Sequence, residues 1–171
     1  MRVVLLRHGP AGRRDASRWP DDAKRPLTPR GEQRTRASCA GIRRLIGGRV
    51  SAIATSPLVR AARTAELLAA TLGGPRPAPL AALAPGGSWR EVLEHLAARR
   101  SSEIVVLVGH EPDLGKLAGV MLFGAPRALP LRKAGACGVR FVGEVEAGGA
   151  RLEWFLPPKV LRRLGRKEGK T

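Results

Sequence analysis

The chain has 171 residues, 43% apolar and 26% charged, enough for one domain with a sizeable core and too hydrophobic for a disordered chain. Its 31 Lys and Arg against 14 Asp and Glu give a net charge of +17, a field that draws anions, phosphorylated compounds and nucleic acid alike. Two distant cysteines, Cys39 and Cys137, argue against a zinc cluster, and with no apolar stretch near 18 residues and no signal-peptide pattern after Met1, the expectation is a cytoplasmic protein with no membrane partner.

Val3-Val4-Leu5-Leu6 is an apolar run without polar alternation, the mark of a strand buried on both faces of a parallel sheet, and it ends at Arg7. Residues 9–26 are rich in Gly, Pro, Asp and Arg and read as a surface loop. Thr28-Pro29 opens a helix that runs to Ile46 and stops at Gly47-Gly48. Residues 50–55 form the second strand. Ser56-Pro57 repeats the pattern of a capping side chain followed by proline, with Leu58, Ala61, Ala65, Leu68 and Leu72 as the buried stripe of the next helix.

Residues 79–83 are expected as a short edge strand, and Ser88 caps a helix that turns Val92, Leu93 and Leu96 inward. Ile104 to Val108 is the strongest strand signal, ending at Gly109-His110, and a helix follows from Pro112 to Phe123. Residues 139–142 and 151–156, separated by Gly148-Gly149, pattern as a hairpin. The whole predicts a single domain over 1–156, a three-layer α/β/α sandwich with a mostly parallel central sheet. Residues 157–171 are expected as a loosely held basic tail.

Ligands of such sheets bind where loops leave the carboxyl ends of the strands. Arg7-His8-Gly9 follows the first strand, Ser56 to Arg60 the second, and Gly109-His110 the strand from Ile104. Two arginines and two histidines are thereby expected to converge, and forked guanidinium donors beside imidazoles suit a phosphoryl group.

The set Leu6-Arg7-His8-Gly9, Ser56-Pro57-Leu58-x-Arg60-Ala61-x-x-Thr64-Ala65 and Gly109-His110-Glu111-Pro112 resembles the histidine phosphatase, or phosphoglycerate mutase-like, superfamily. Arg25-Pro26-Leu27-Thr28, Leu83-Ala84-Pro85-Gly86-Gly87 and the short length are similar to its SixA-type phosphohistidine phosphatases. The resemblance implies that His8 is the phosphorylated nucleophile, that Arg7, Arg60 and His110 surround the phosphoryl oxygens, and that neither metal nor cofactor takes part. Gly9 would bind substrate by letting the backbone pass close to the phosphate.

Members that cleave phosphate monoesters place a carboxylic acid near the end of the third strand. Here the nearby carboxylate is Glu91, in the first turn of a predicted helix, where a helix-dipole role competes with a role as acid. A weak acid suits a phosphoramidate, whose leaving nitrogen needs less help than an alkoxide. The expected partner is therefore a histidine-phosphorylated protein domain, with small phosphate esters as the alternative. Nucleic-acid binding by the basic tail is the alternative from a different class, and no helix-turn-helix or RNA-recognition aromatic pattern accompanies it.

Ser56 is assigned to helix capping over phosphate binding, Arg63 to a solvated helix face, and His95 to the surface.

Overall fold

Strand and helix signals alternate along the chain, and so do the elements themselves. The computed structural model describes residues 1–166. In order they form β1 (Arg2–Arg7), α1 (Pro29–Ile46), β2 (Ala52–Thr55), α2 (Val59–Leu72), β3 (Ala78–Pro79), α3 (Trp89–Ala97), β4 (Ile104–Gly109), α4 (Asp113–Phe123), β5 (Ala136–Phe141), β6 (Ala150–Leu156) and α5 (Pro158–Leu164).

The six strands make one sheet in the order β3-β2-β4-β1-β5-β6. β1 to β4 run parallel, while β5 and β6 are an antiparallel pair added beside β1. Successive residues of β1 enter different cores: Val3 and Leu5 pack with α3 and α4, and Val4 and Leu6 pack with α1, α2 and α5. An uninterrupted apolar strand buried on both faces is what three layers require.

Register fixes where the loops emerge. Arg7 lies opposite Gly109, and Thr55 opposite Val108, so β1, β2 and β4 end at nearly the same level. His8, Ser56 and His110, each the next residue, leave one edge of the sheet together.

Local signals hold for α1, whose N-cap Thr28 accepts from the Gly31 amide at 2.9 Å and whose C-cap Gly47 takes a left-handed φ of 59°. They mislead at α2. Its N-cap is Leu58, with no side-chain cap, because Ser56 is held in the strand end by its amide bond to the Val108 carbonyl. The expected edge strand at 79–83 shrinks to Ala78–Pro79, and Ala81–Leu83 turn into a 3-10 helix.

The C-terminal segment also departs from the expectation. Pro158–Leu164 form α5, which lies against α1 with Leu161 fully buried. Residues 167–171 lie outside the described residues. The docking depends on Gly41, where an added Cβ would run into the Leu161 carbonyl. Alanine is the better helix former by about 1 kcal/mol, but backbone overlap cannot relax cheaply, and overpacking costs about 1–3 kcal/mol. We therefore expect Gly41→Ala to lower the thermal midpoint. A higher midpoint in calorimetry would show that propensity outweighs the helix contact.

Candidate active site

His8 is 5% exposed, and its backbone amide is tied to the Gly109 carbonyl of β4 at 3.0 Å. Its Nδ1 lies 2.8 Å from the Gly9 carbonyl, an acceptor only, so Nδ1 carries the proton. The lone pair is left on Nε2, which makes no hydrogen bond to the described residues. The Gly9 amide donates to Thr64 Oγ1, whose hydroxyl donates to the Arg60 carbonyl, so α2 and the loop after β1 are latched together.

The His110 ring stands beside His8, with centroids 4.9 Å apart and planes tilted by 50°. Its Nε2 is 2.8 Å from Ser56 Oγ, and its Nδ1 is buried with no partner. Arg7 donates from Nη1 to the Leu131 carbonyl at 2.8 Å. Arg60 donates from Nη1 to the Asp22 carbonyl at 2.7 Å, with Nη2 3.1 Å from Asp22 Oδ2. In both guanidiniums Nε is buried and unpartnered. Each cation is thus anchored at its far end, while Arg7 Nε, Arg60 Nε and His110 Nδ1 are buried without a partner among the described residues. Buried polar side-chain atoms without a partner are rare, and three of the six found among the described residues belong to this group.

Residues 3–84 match the model of the histidine phosphatase superfamily (branch 1). An uncharacterized protein of Picosynechococcus sp. is 40% identical over 157 residues, which cover 90% of this chain and 89% of that protein. The protein histidine phosphatase SixA in its tungstate complex superposes with a TM-score of 0.79 at 26% identity, over 94% of this chain and 99% of that one. A putative SixA phosphohistidine phosphatase from Nakamurella multipartitia gives 0.69 at 26% identity, over 92% and 95%. The chain belongs to the histidine phosphatase superfamily. Its sandwich is the phosphoglycerate mutase-like fold in its short SixA form, and the protein is a phosphatase of the hydrolase class.

In this histidine phosphatase, burial pushes His8 down to about 3, aided by repulsion from His110, Arg60 and Arg7 and opposed by the Gly9 hydrogen bond. His110 is pushed down to about 4, again by burial first and then by Arg60 and Arg7, with Asp113 and Asp22 opposing. Both imidazoles are neutral at pH 7, as a nitrogen nucleophile must be. We expect both to stay neutral at pH 5.5 in an NMR titration of the free protein, and a midpoint near 6.5 for either would contradict this. The unfolded chain takes up these protons near 6.5, so stability falls as pH drops below that value. The slope is about 1.4 kcal/mol per pH unit for each histidine until the folded values are reached.

Two sequence expectations change in role. Gly9 offers no free group to substrate, since its amide and carbonyl are both engaged, and a Cβ there would collide with Thr35 of α1 rather than fill ligand space. Glu91 stands on the exposed side of the first turn of α3, and the carboxylates that act on His110 are Asp113 and Asp22 instead. His95 is half-buried, not superficial, with Nε2 unpartnered.

Other residues of the site were given no role in it by the sequence. Asp22, in the aperiodic loop, bridges Arg60 and Arg25, and the Arg25 hydrogen bond does most to hold its carboxyl below the usual range. It is an acceptor, not an acid. Glu111 Oε1 accepts from the Leu131 amide at 3.1 Å, so one peptide segment anchors both Glu111 and Arg7. Lys133 sits within the field of Arg7, Arg25 and Arg60, and burial followed by that repulsion lowers it. Of these, only Arg25 and Glu111 lay in segments the sequence had marked.

Proposed function

We propose that this protein removes phosphate from phosphohistidine on a protein domain, through a phosphorylated His8. The observation that carries the reading is that Arg7 Nε, Arg60 Nε and His110 Nδ1, buried and without a partner, belong to the three groups that act on a neutral His8 whose Nε2 is free. His8 Nε2 attacks phosphorus in line, the new P–N bond forms as the substrate's P–N bond breaks, and the electron pair leaves on the substrate imidazole. Arg7, Arg60 and His110 hold the equatorial oxygens, a mainly electrostatic contribution. Water then attacks the phosphoenzyme, giving inorganic phosphate and returning the lone pair to Nε2. The exchange is ping-pong in form.

The choice of a phosphoramidate over an ester rests on proton supply. Glu91 faces solvent and Asp22 is claimed by two arginines, so neither is poised to protonate an alkoxide. The SixA neighbours, a protein histidine phosphatase and a putative phosphohistidine phosphatase, agree with this reading. The net charge of +17 favours encounter with an acidic protein surface.

One observation favours small phosphate esters as a second reading: Glu111, next to His110, has a carboxyl raised by burial, as a proton donor requires. Its Oε1 is nevertheless committed to the Leu131 amide. A substrate panel decides between them. A phosphohistidine protein turned over far faster than aryl and alkyl phosphates supports the first reading. Efficient alkyl-ester turnover that Glu111→Gln abolishes, and Glu91→Gln does not, supports the second.

A further inference from the structure

Ser56 is 0% exposed, and its hydroxyl lies against His110. The Leu58 amide donates to Ser56 Oγ at 3.3 Å, an interaction in which the oxygen can only accept. The hydroxyl has one hydrogen to place, and at 2.8 Å His110 Nε2 is the acceptor available to it. The opposite assignment, Nε2–H donating to Oγ, would leave that hydrogen without an acceptor and give the oxygen two donors. It would also turn a bare Nδ1 lone pair toward the phosphoryl oxygens, a repulsive pairing.

We propose that Ser56 is a positioning residue: its hydroxyl donates to His110 Nε2 and thereby keeps the neutral ring's proton on Nδ1, the one ring nitrogen left free to donate to the phosphoryl group. The inference rests on the phosphatase reading for the use of that proton, but the tautomer itself is independent of it. A histidine's tautomer is set by the bond its other nitrogen makes, and both residues are buried enough that water does not replace the hydroxyl. The arrangement mirrors that at His8. There a backbone carbonyl accepts from Nδ1 and frees Nε2 as a lone pair, whereas here a hydroxyl donates to Nε2 and frees Nδ1 as a donor. Two adjacent imidazoles thus hold the same tautomer, protonated on Nδ1, but turn opposite nitrogens to the site, one suited to attack and one to donation.

The test is nitrogen-15 NMR of the free protein together with kinetics, on wild type, Ser56→Ala and Ser56→Thr. Wild-type His110 is expected to show protonated Nδ1 and bare Nε2, Ser56→Ala a mixture shifted toward protonated Nε2, and Ser56→Thr the wild-type pattern. Loss of the hydroxyl should lower kcat by about 10- to 100-fold and weaken tungstate binding, with the threonine variant recovering both. Wild-type His110 protonated on Nε2, or a Ser56→Ala spectrum unchanged from wild type, overturns the proposal. A protein without phosphatase turnover but with the expected tautomers would overturn the phosphatase reading and leave the role of Ser56 in setting the tautomer standing.

Discussion

Replacing His8 with alanine lowers turnover by at least about 10⁴-fold, the scale on which removing a nucleophile acts, while tungstate still binds. The two effects separate because His8 supplies the lone pair and not the cradle. Arg7 is anchored to Leu131, Arg60 to Asp22 and His110 to Ser56, and none of these bonds passes through the His8 ring. The backbone of residue 8 keeps its bond to Gly109 whatever side chain it carries. Turnover is measured with a phosphohistidine protein, and binding by calorimetry with tungstate. Loss of both would indicate that the ring supports the cradle, and retention of turnover would remove His8 from the chemistry.

Arg60→Ala costs about 10²–10³-fold in kcat/KM, the range for losing one preorganised donor to a developing charge. Arg60 is 4% exposed and held in a fixed orientation by two bonds to Asp22, so its Nε needs no reorganisation when the phosphoryl group arrives. Arg60→Lys recovers little, since a point charge on a flexible stem replaces a planar fork. The matched control is Arg63, one turn along α2, whose partners Glu32 and Glu66 form surface pairs. Such pairs contribute about 0–1 kcal/mol, and Arg63→Ala should leave kcat/KM within twofold. Equal losses for the two variants would point to general charge rather than a built site.

Each kind of sequence signal reflects a different physical constraint on the chain. The apolar runs at Val3 to Leu6 and Ile104 to Val108 have to be buried on both sides, which predicts the layers and puts His8 and His110 at one edge. Boundaries shifted where a residue served the site rather than the helix. At Ser56-Pro57 the cap pattern was present, yet the hydroxyl faces His110 and α2 begins at Val59. α5 was missed because a seven-residue segment has little helical tendency of its own and forms against Gly41 of α1. Asp22 and Lys133 were invisible for another reason: a charge in an aperiodic loop shows its partners only once the chain has closed around them. The anchors of the cradle are mostly backbone carbonyls, of Asp22, Leu131 and Gly9, and a carbonyl has no residue type to read.

Chemical trapping tests the covalent intermediate on His8 most directly. Turnover of a phosphohistidine protein labelled in its phosphoryl group is stopped in alkali, where a phosphohistidine bond survives, and the labelled peptide is located. The predicted result is one acid-labile phosphoryl group on His8, formed in a burst before steady state and absent in His8→Ala. Steady turnover with no label on the protein, or label on another residue, would contradict it.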